Sequence, residues 1–170
     1  HCETVGLQDF ARYLDGTGAD SLKTFLLDMY SDRPVHETVY RQGAPFLETC
    51  PYFDHDTYRE VGRDGIPVRG GPRHRLFWEG LDLGKPSPVL KKIPLVKWRR
   101  GLSYRASTHA IDGLRPSAVT GVLLHFKLFS DFAPRAAAEA SRGVHWEEGR
   151  QYKSYAAALK EQPELSAWHP

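Results

Sequence analysis

The chain is poor in cysteine and methionine, nearly neutral in charge, and without a long apolar run. Two cysteines in 170 residues, Cys2 and Cys50, do not make a disulfide scaffold, and both read as free thiols. A net charge of +2, from 23 basic and 21 acidic residues, gives no electrostatic basis for binding nucleic acid. The greasiest stretches, 22–30 and 119–132, are short and broken by polar residues, so none reads as a transmembrane segment. There is no C-x-x-C pair, no H-E-x-x-H, no glycine-rich nucleotide loop and no Ser/His/Asp order, which argues against redox and hydrolytic chemistry. The opening His1-Cys2-Glu3-Thr4 has neither an initiator Met nor a basic, apolar leader. The expectation is that His1 is not a natural N-terminus.

What is present is 41% apolar and 12% aromatic, the composition of a globular chain with a core. Residues 1–170 read as one domain. Leu7, Phe10, Ala11 and Leu14 recur at helical spacing, predicting a helix over 5–14 with Thr4 as cap. A buried strand is expected over 22–30. Residues 31–90 hold most of the prolines and many glycines, and read as a long irregular region with short elements at 57–61 and 73–78. A strand is expected at 93–98, with 103–106 extending an adjacent one. The strongest strand signal is 118–129, where alternation puts His125 and Lys127 on one face with Leu123 and Phe129. Two helices close the chain. One runs from a Ser130 or Asp131 cap to Arg142, stopped by Gly143. The other spans 148–160, with Tyr152, Tyr155, Ala156 and Leu159 on one face.

Few side chains stand out chemically. An imidazole at His125 on an apolar strand needs a hydrogen-bond partner, a charge or a metal, since bare burial is costly. Lys127 two residues on needs an anion, so the pair suits a metal plus a phosphate group, against the blander reading of a satisfied core histidine and an edge lysine. His109 follows a strand near a loop, where ligand contacts gather, or is an ordinary surface histidine. Arg73 and Arg75 alternate after Gly70-Gly71-Pro72 and can chelate phosphate, or simply form a basic turn. Asp54-His55-Asp56 spells D-x-D, a string that can hold a divalent ion, but two aspartates are a weak signal and the match reads as coincidence.

Six strings in order carry a resemblance: 25–35 (FLLDMYSDRPV), 50–54 (CPYFD), 70–77 (GGPRHRLF), 93–98 (IPLVKW), 107–109 (STH) and 123–127 (LLHFK). Together they resemble bacterial glycosyltransferase family 2-like proteins of the GT-A type, over nearly the whole chain. The resemblance implies an α/β fold: a partial GT-A-like mixed sheet with flanking helices, a long irregular central region and two C-terminal helices. It implies the C-terminal, acceptor-side part of a larger catalytic domain, whose upstream half would carry the nucleotide pocket and the metal carboxylates. A nucleotide-sugar donor and a glycan or other hydroxyl acceptor are the implied partners. The implied cofactor is a divalent metal, Mn or Mg, held only with that upstream half. His125 would complete the metal shell, and Lys127, His109, Arg73 and Arg75 would contact substrate. Asp28, at the end of an apolar strand, would be the base, although a turn aspartate is an equal reading. The implied location is cytoplasmic, peripheral to the inner membrane at most. The alternative is a non-catalytic carbohydrate- or phosphate-binding module, since four Trp, eight Tyr and eight Phe can supply a sugar-stacking surface.

Overall fold

The computed structural model describes residues 4–60, 67–79, 86–105, 108–144 and 146–169. They form an α/β arrangement in chain order: α1 (Leu7–Gly16), β1 (Ser21–Met29), α2 (Phe46–Thr49), β2 (Arg59–Glu60), β3 (Pro67–Arg69), α3 (Gly71–Phe77), β4 (Lys91–Val96), β5 (Pro116–Phe126), α4 (Phe132–Arg142) and α5 (Arg150–Glu161). β1 lies between β4 and β5 in a three-stranded sheet, and β2 pairs with β3 in a small ribbon. β4 runs antiparallel to β1, with Ser21 opposite Val96 and Phe25 opposite Lys91. β5 runs alongside β1 in the same direction. Its approach is marked by Asp20 N–H donating to Arg115 O at 2.9 Å, and its far end by His125 against Asp28. The sheet is therefore mixed.

The chain divides into two compact units, one of His1–Leu26 with Val89–Leu123 and one of Leu27–Pro88 with Leu124–Pro170. The first is organised on Asp20. Its carboxylate accepts from Arg99 Nη1 at 3.0 Å and from the backbone N–H of Arg115, and its carbonyl accepts from Lys97 N–H at 2.8 Å. Gly121 lets β5 approach β1 closely, since a Cβ there would sit 3.0 Å from Thr24 Cγ2.

The second unit holds the larger core: Tyr30, Val35, Phe77, Leu128, Phe132, Ala136, Tyr155, Leu159, Leu165 and Ala167. Tyr155 is fully buried, with Phe77 at 4.8 Å edge-on and Phe132 at 5.1 Å. Burying each such ring is worth about 1.5–3 kcal/mol, and the edge-on geometry adds about 0.5–1.5 kcal/mol. The helical period on α5 is thus the period of a real core face.

Several element expectations need correction. The first helix starts two residues later than expected. Gly6 is its N-cap, with no side-chain bond, so Thr4 does not cap it. Asp131 does precede α4, but its carboxylate pairs with Arg135 at 3.0 Å instead of capping. The stretch expected at 103–106 contributes only an isolated bridge, Tyr104 to Ile111, and Ala106 lies outside the described residues, as do Ser107 and Cys2. β5 ends at Phe126 rather than Phe129. Phe129 N–H closes a turn onto Lys127 O at 3.1 Å, so Lys127 leaves the strand and the face it was expected to share with His125.

Candidate functional site

β1 carries Asp28 to the inside of the second unit, where it is 1% exposed. A carboxylate so deep must be paired or neutralised. α3 supplies the pair: Arg73 Nε donates to Asp28 Oδ2 at 2.7 Å, and Arg73 is itself buried. β5 supplies the second partner, with His125 Nδ1–H donating to Asp28 Oδ1 at 2.6 Å. Both Asp28 oxygens are engaged. Burial works to raise the Asp28 pKa, but the Arg73 charge and the His125 bond prevail and hold it below the ordinary carboxylate range. For Arg73, burial opposes the charge while Asp28 and the Tyr155 hydroxyl favour it, and the net shift is upward. Its Nη2 is buried with no hydrogen-bond partner.

This array changes the expected roles. Asp28 was expected as a base, but a buried carboxylate with both oxygens taken and a depressed pKa neither reaches nor deprotonates a substrate hydroxyl. What it does is fix the ring of His125, a partly exposed side chain at 30% whose Nε2 has no hydrogen-bond partner among the described residues. Carboxylate-fixed imidazoles of this kind serve as metal ligands or as general bases. Arg73, expected against substrate, is the buried counter-ion of that carboxylate.

Lys127 does not present its ammonium as a surface phosphate contact. The Nζ lies over the rings of Tyr155, Tyr152 and Phe132, at 4.6, 4.7 and 5.3 Å from their centroids. Burial, then the nearby Arg73 charge, brings its pKa down to about 7. Arg75 turns elsewhere on α3. Its Nη2 donates to Asp54 Oδ1 at 2.9 Å and to Ala167 O at 2.8 Å. Asp54 also accepts from Thr57 Oγ1 at 2.9 Å, so the first aspartate of the D-x-D string is a structural acceptor. His109 belongs to the first unit. There Nδ1–H donates to Lys91 O at 2.6 Å and Nε2 accepts from Lys92 Nζ, 3.1 Å away. Burial, then the Lys92 charge, lowers its pKa, so it is a neutral, fully bonded histidine.

For a divalent ion, His125 Nε2 fits as one ligand, while Asp28 is spent on Arg73 and His125. Among the described residues, no three His, Cys, Asp or Glu side chains gather closely enough to hold a metal. Any further ligands would have to come from outside them. The structure thus brings Asp28, Arg73, His125 and Lys127 into one constellation and places Arg75 and His109 in other bonding sets. The ring cage of Lys127 was missed in the sequence, although the Tyr152–Tyr155 face of the last helix was its visible half. No helix among the described residues is long and apolar enough to cross a membrane. No family model, no curated protein and no solved structure matches this chain.

Proposed function

We propose that this chain forms the acceptor-side part of a metal-dependent GT-A-type glycosyltransferase, resembling family 2, that works in the cytoplasm. What supports the reading is the Arg73–Asp28–His125 array: a histidine late in the chain, locked by a buried ion pair, with Nε2 left open. That is the character the resemblance asks of a histidine completing a metal shell. When bound, the ion would supply Lewis acidity toward the leaving diphosphate of a nucleotide sugar. The chain's own residues do the rest. Asp28 fixes the ring, Arg73 keeps Asp28 ionised, and the Lys127 amine lies among the rings of Tyr155, Tyr152 and Phe132 in the same unit. The array, with no hydrolase or redox motif beside it, favours an electrostatic task over covalent catalysis.

The test uses the protein that carries this segment, assayed for sugar transfer from nucleotide-sugar donors with Mn²⁺. His125→Gln should abolish or severely lower transfer. Asp28→Asn should weaken Mn²⁺ affinity by about 10–100-fold, the usual cost of losing the partner of a metal-bound histidine. Unchanged Mn²⁺ affinity in both variants would remove the reading. Transfer by residues 1–170 alone would overturn the acceptor-side assignment while leaving the transferase.

A further inference from the structure

A second site of the same unit lies apart from the Asp28 array. A cavity of about 240 Å³ is lined by Asp56, Thr57, Arg59, His74, Arg75 and Glu79. The side chains of Asp56, Arg59 and Glu79 are exposed, and none makes an ion pair or hydrogen bond among the described residues. Arg75 is different: Asp54 and Ala167 O hold its guanidinium still. Next along the chain from Ala167 is Trp168, 43% exposed, and two before Asp54 is Tyr52, 37% exposed. Their rings meet edge to face at 4.7 Å.

The two aromatics are pinned. Tyr52 exchanges backbone bonds with Tyr30 at the end of β1, at 2.9 and 3.1 Å. Trp168 N–H donates to Ser166 Oγ at 3.1 Å. Ser166 is bridged in turn to Pro34. Ordering the surface was completed in folding, so a ligand does not meet that cost again.

Charge decides the ligand class. Two acids, Asp56 and Glu79, line the cavity with two bases, Arg59 and Arg75, and with His74, and Arg75 is already neutralised by Asp54. A phosphate would need net positive charge, and a divalent cation a cluster of carboxylates. A pyranose ring needs neither. Its hydroxyls donate to carboxylates and accept from guanidinium groups, while its C–H face packs on an aromatic ring. Polar groups that both donate and accept line the cavity, and Arg75 ties that lining to Asp54 and Ala167, two residues and one residue along the chain from the exposed Tyr52–Trp168 pair, which together supply that two-sided chemistry.

We propose that the Tyr52–Trp168 pair and the Arg75-lined cavity bind a pyranose ring, so that the acceptor of the transfer is a sugar. Only the word acceptor rests on the transferase reading; the sugar site stands without it.

The experiment is a titration of the ¹⁵N-labelled chain with methyl pyranosides of glucose, galactose, mannose and N-acetylglucosamine. The Trp168 indole signal and saturation transfer to the sugar are the readouts. At least one glycoside should bind. Trp168→Ala should weaken it about tenfold, whereas Trp168→Phe, which keeps a ring, should stay within about threefold. Asp56→Asn should weaken it about fivefold or more through the lost charged acceptor. Both positions are exposed, and thermal melts will confirm that the variants fold. Absence of binding by all four sugars, or binding unchanged in Trp168→Ala, overturns the site. Sugar binding at Trp168 in a protein that transfers nothing removes the transferase and keeps the site. Transfer with an acceptor KM unmoved by Trp168→Ala does the reverse.

Discussion

Asp28 is the residue on which the second unit's polar interior turns. It lies 45 residues from Arg73 and 97 from His125 in sequence, and one carboxylate binds both. Removing either member of the Arg73–Asp28 pair leaves a charge buried without its partner. Asp28→Asn and Arg73→Met should each cost about 3–5 kcal/mol in urea unfolding. The double replacement Asp28→Asn with Arg73→Met should be far less damaging than the sum, because no orphan charge is left. Additive losses would mean that the two charges do not see each other. All three members were visible in the sequence as isolated candidates. Their union was not, since nothing local to position 28 announces a guanidinium arriving from a helix in the proline- and glycine-rich region. The reversal of roles has the same origin. A carboxylate ending a strand reads as a base until its two oxygens are known to be occupied.

At the scale of elements, the long periodic segments were legible in place and type, whereas of the short ones β2 and α3 were expected only as places, at 57–61 and 73–78, and α2 and β3 not at all. α4 and α5 carry enough turns for the apolar period to set their faces, and β1 and β5 carry enough β-branched and apolar residues to declare themselves. β2, β3 and α3 are two, three and seven residues long and exist through tertiary support. Their hinge is Gly70, at φ 125° and ψ −153°. A Cβ there would stand 2.2 Å from Thr57 O and 2.7 Å from Tyr58 Cα. Because α3 begins at the next residue, this close approach sets where Arg73 and Arg75 land. Gly70→Ala should lose about 1–3 kcal/mol from the backbone conformation alone, and more from the clash. Gly16→Ala, at the end of α1 with nothing within 4 Å of the new methyl, should be neutral or stabilising by up to about 1 kcal/mol. Chemical denaturation of both variants checks the contrast; equal effects would mean that the β3–α3 turn carries no strain.

Stability as a function of pH belongs to the whole molecule, and here buried groups pull it in opposite directions. Cys50 and Tyr30, pushed up to about 11 and about 12 by burial first of all, stay protonated in the native state while the unfolded chain ionises, so both erode stability at high pH. Lys127 acts the other way. Its native pKa of about 7 lies below the unfolded 10.5, so between these values the unfolded chain binds the extra proton. Stability from this group therefore rises with pH across that window, and below about pH 7 its full cost is present. Comparing the wild type with Lys127→Met cancels the cysteine and tyrosine contributions and isolates the lysine. The variant should melt above the wild type at pH 6–7, and the gap should close as pH approaches 10. The attraction of three rings for the ammonium opposes this gain. If that attraction outweighs burial and the Arg73 charge, Lys127→Met will melt below the wild type at neutral pH. The cage would then be a stabilising cation site rather than a place where a lysine is held near neutrality. The sign of one melting difference at pH 7 separates the two, and with it whether Lys127 adds a full charge to the Asp28–His125 array at that pH.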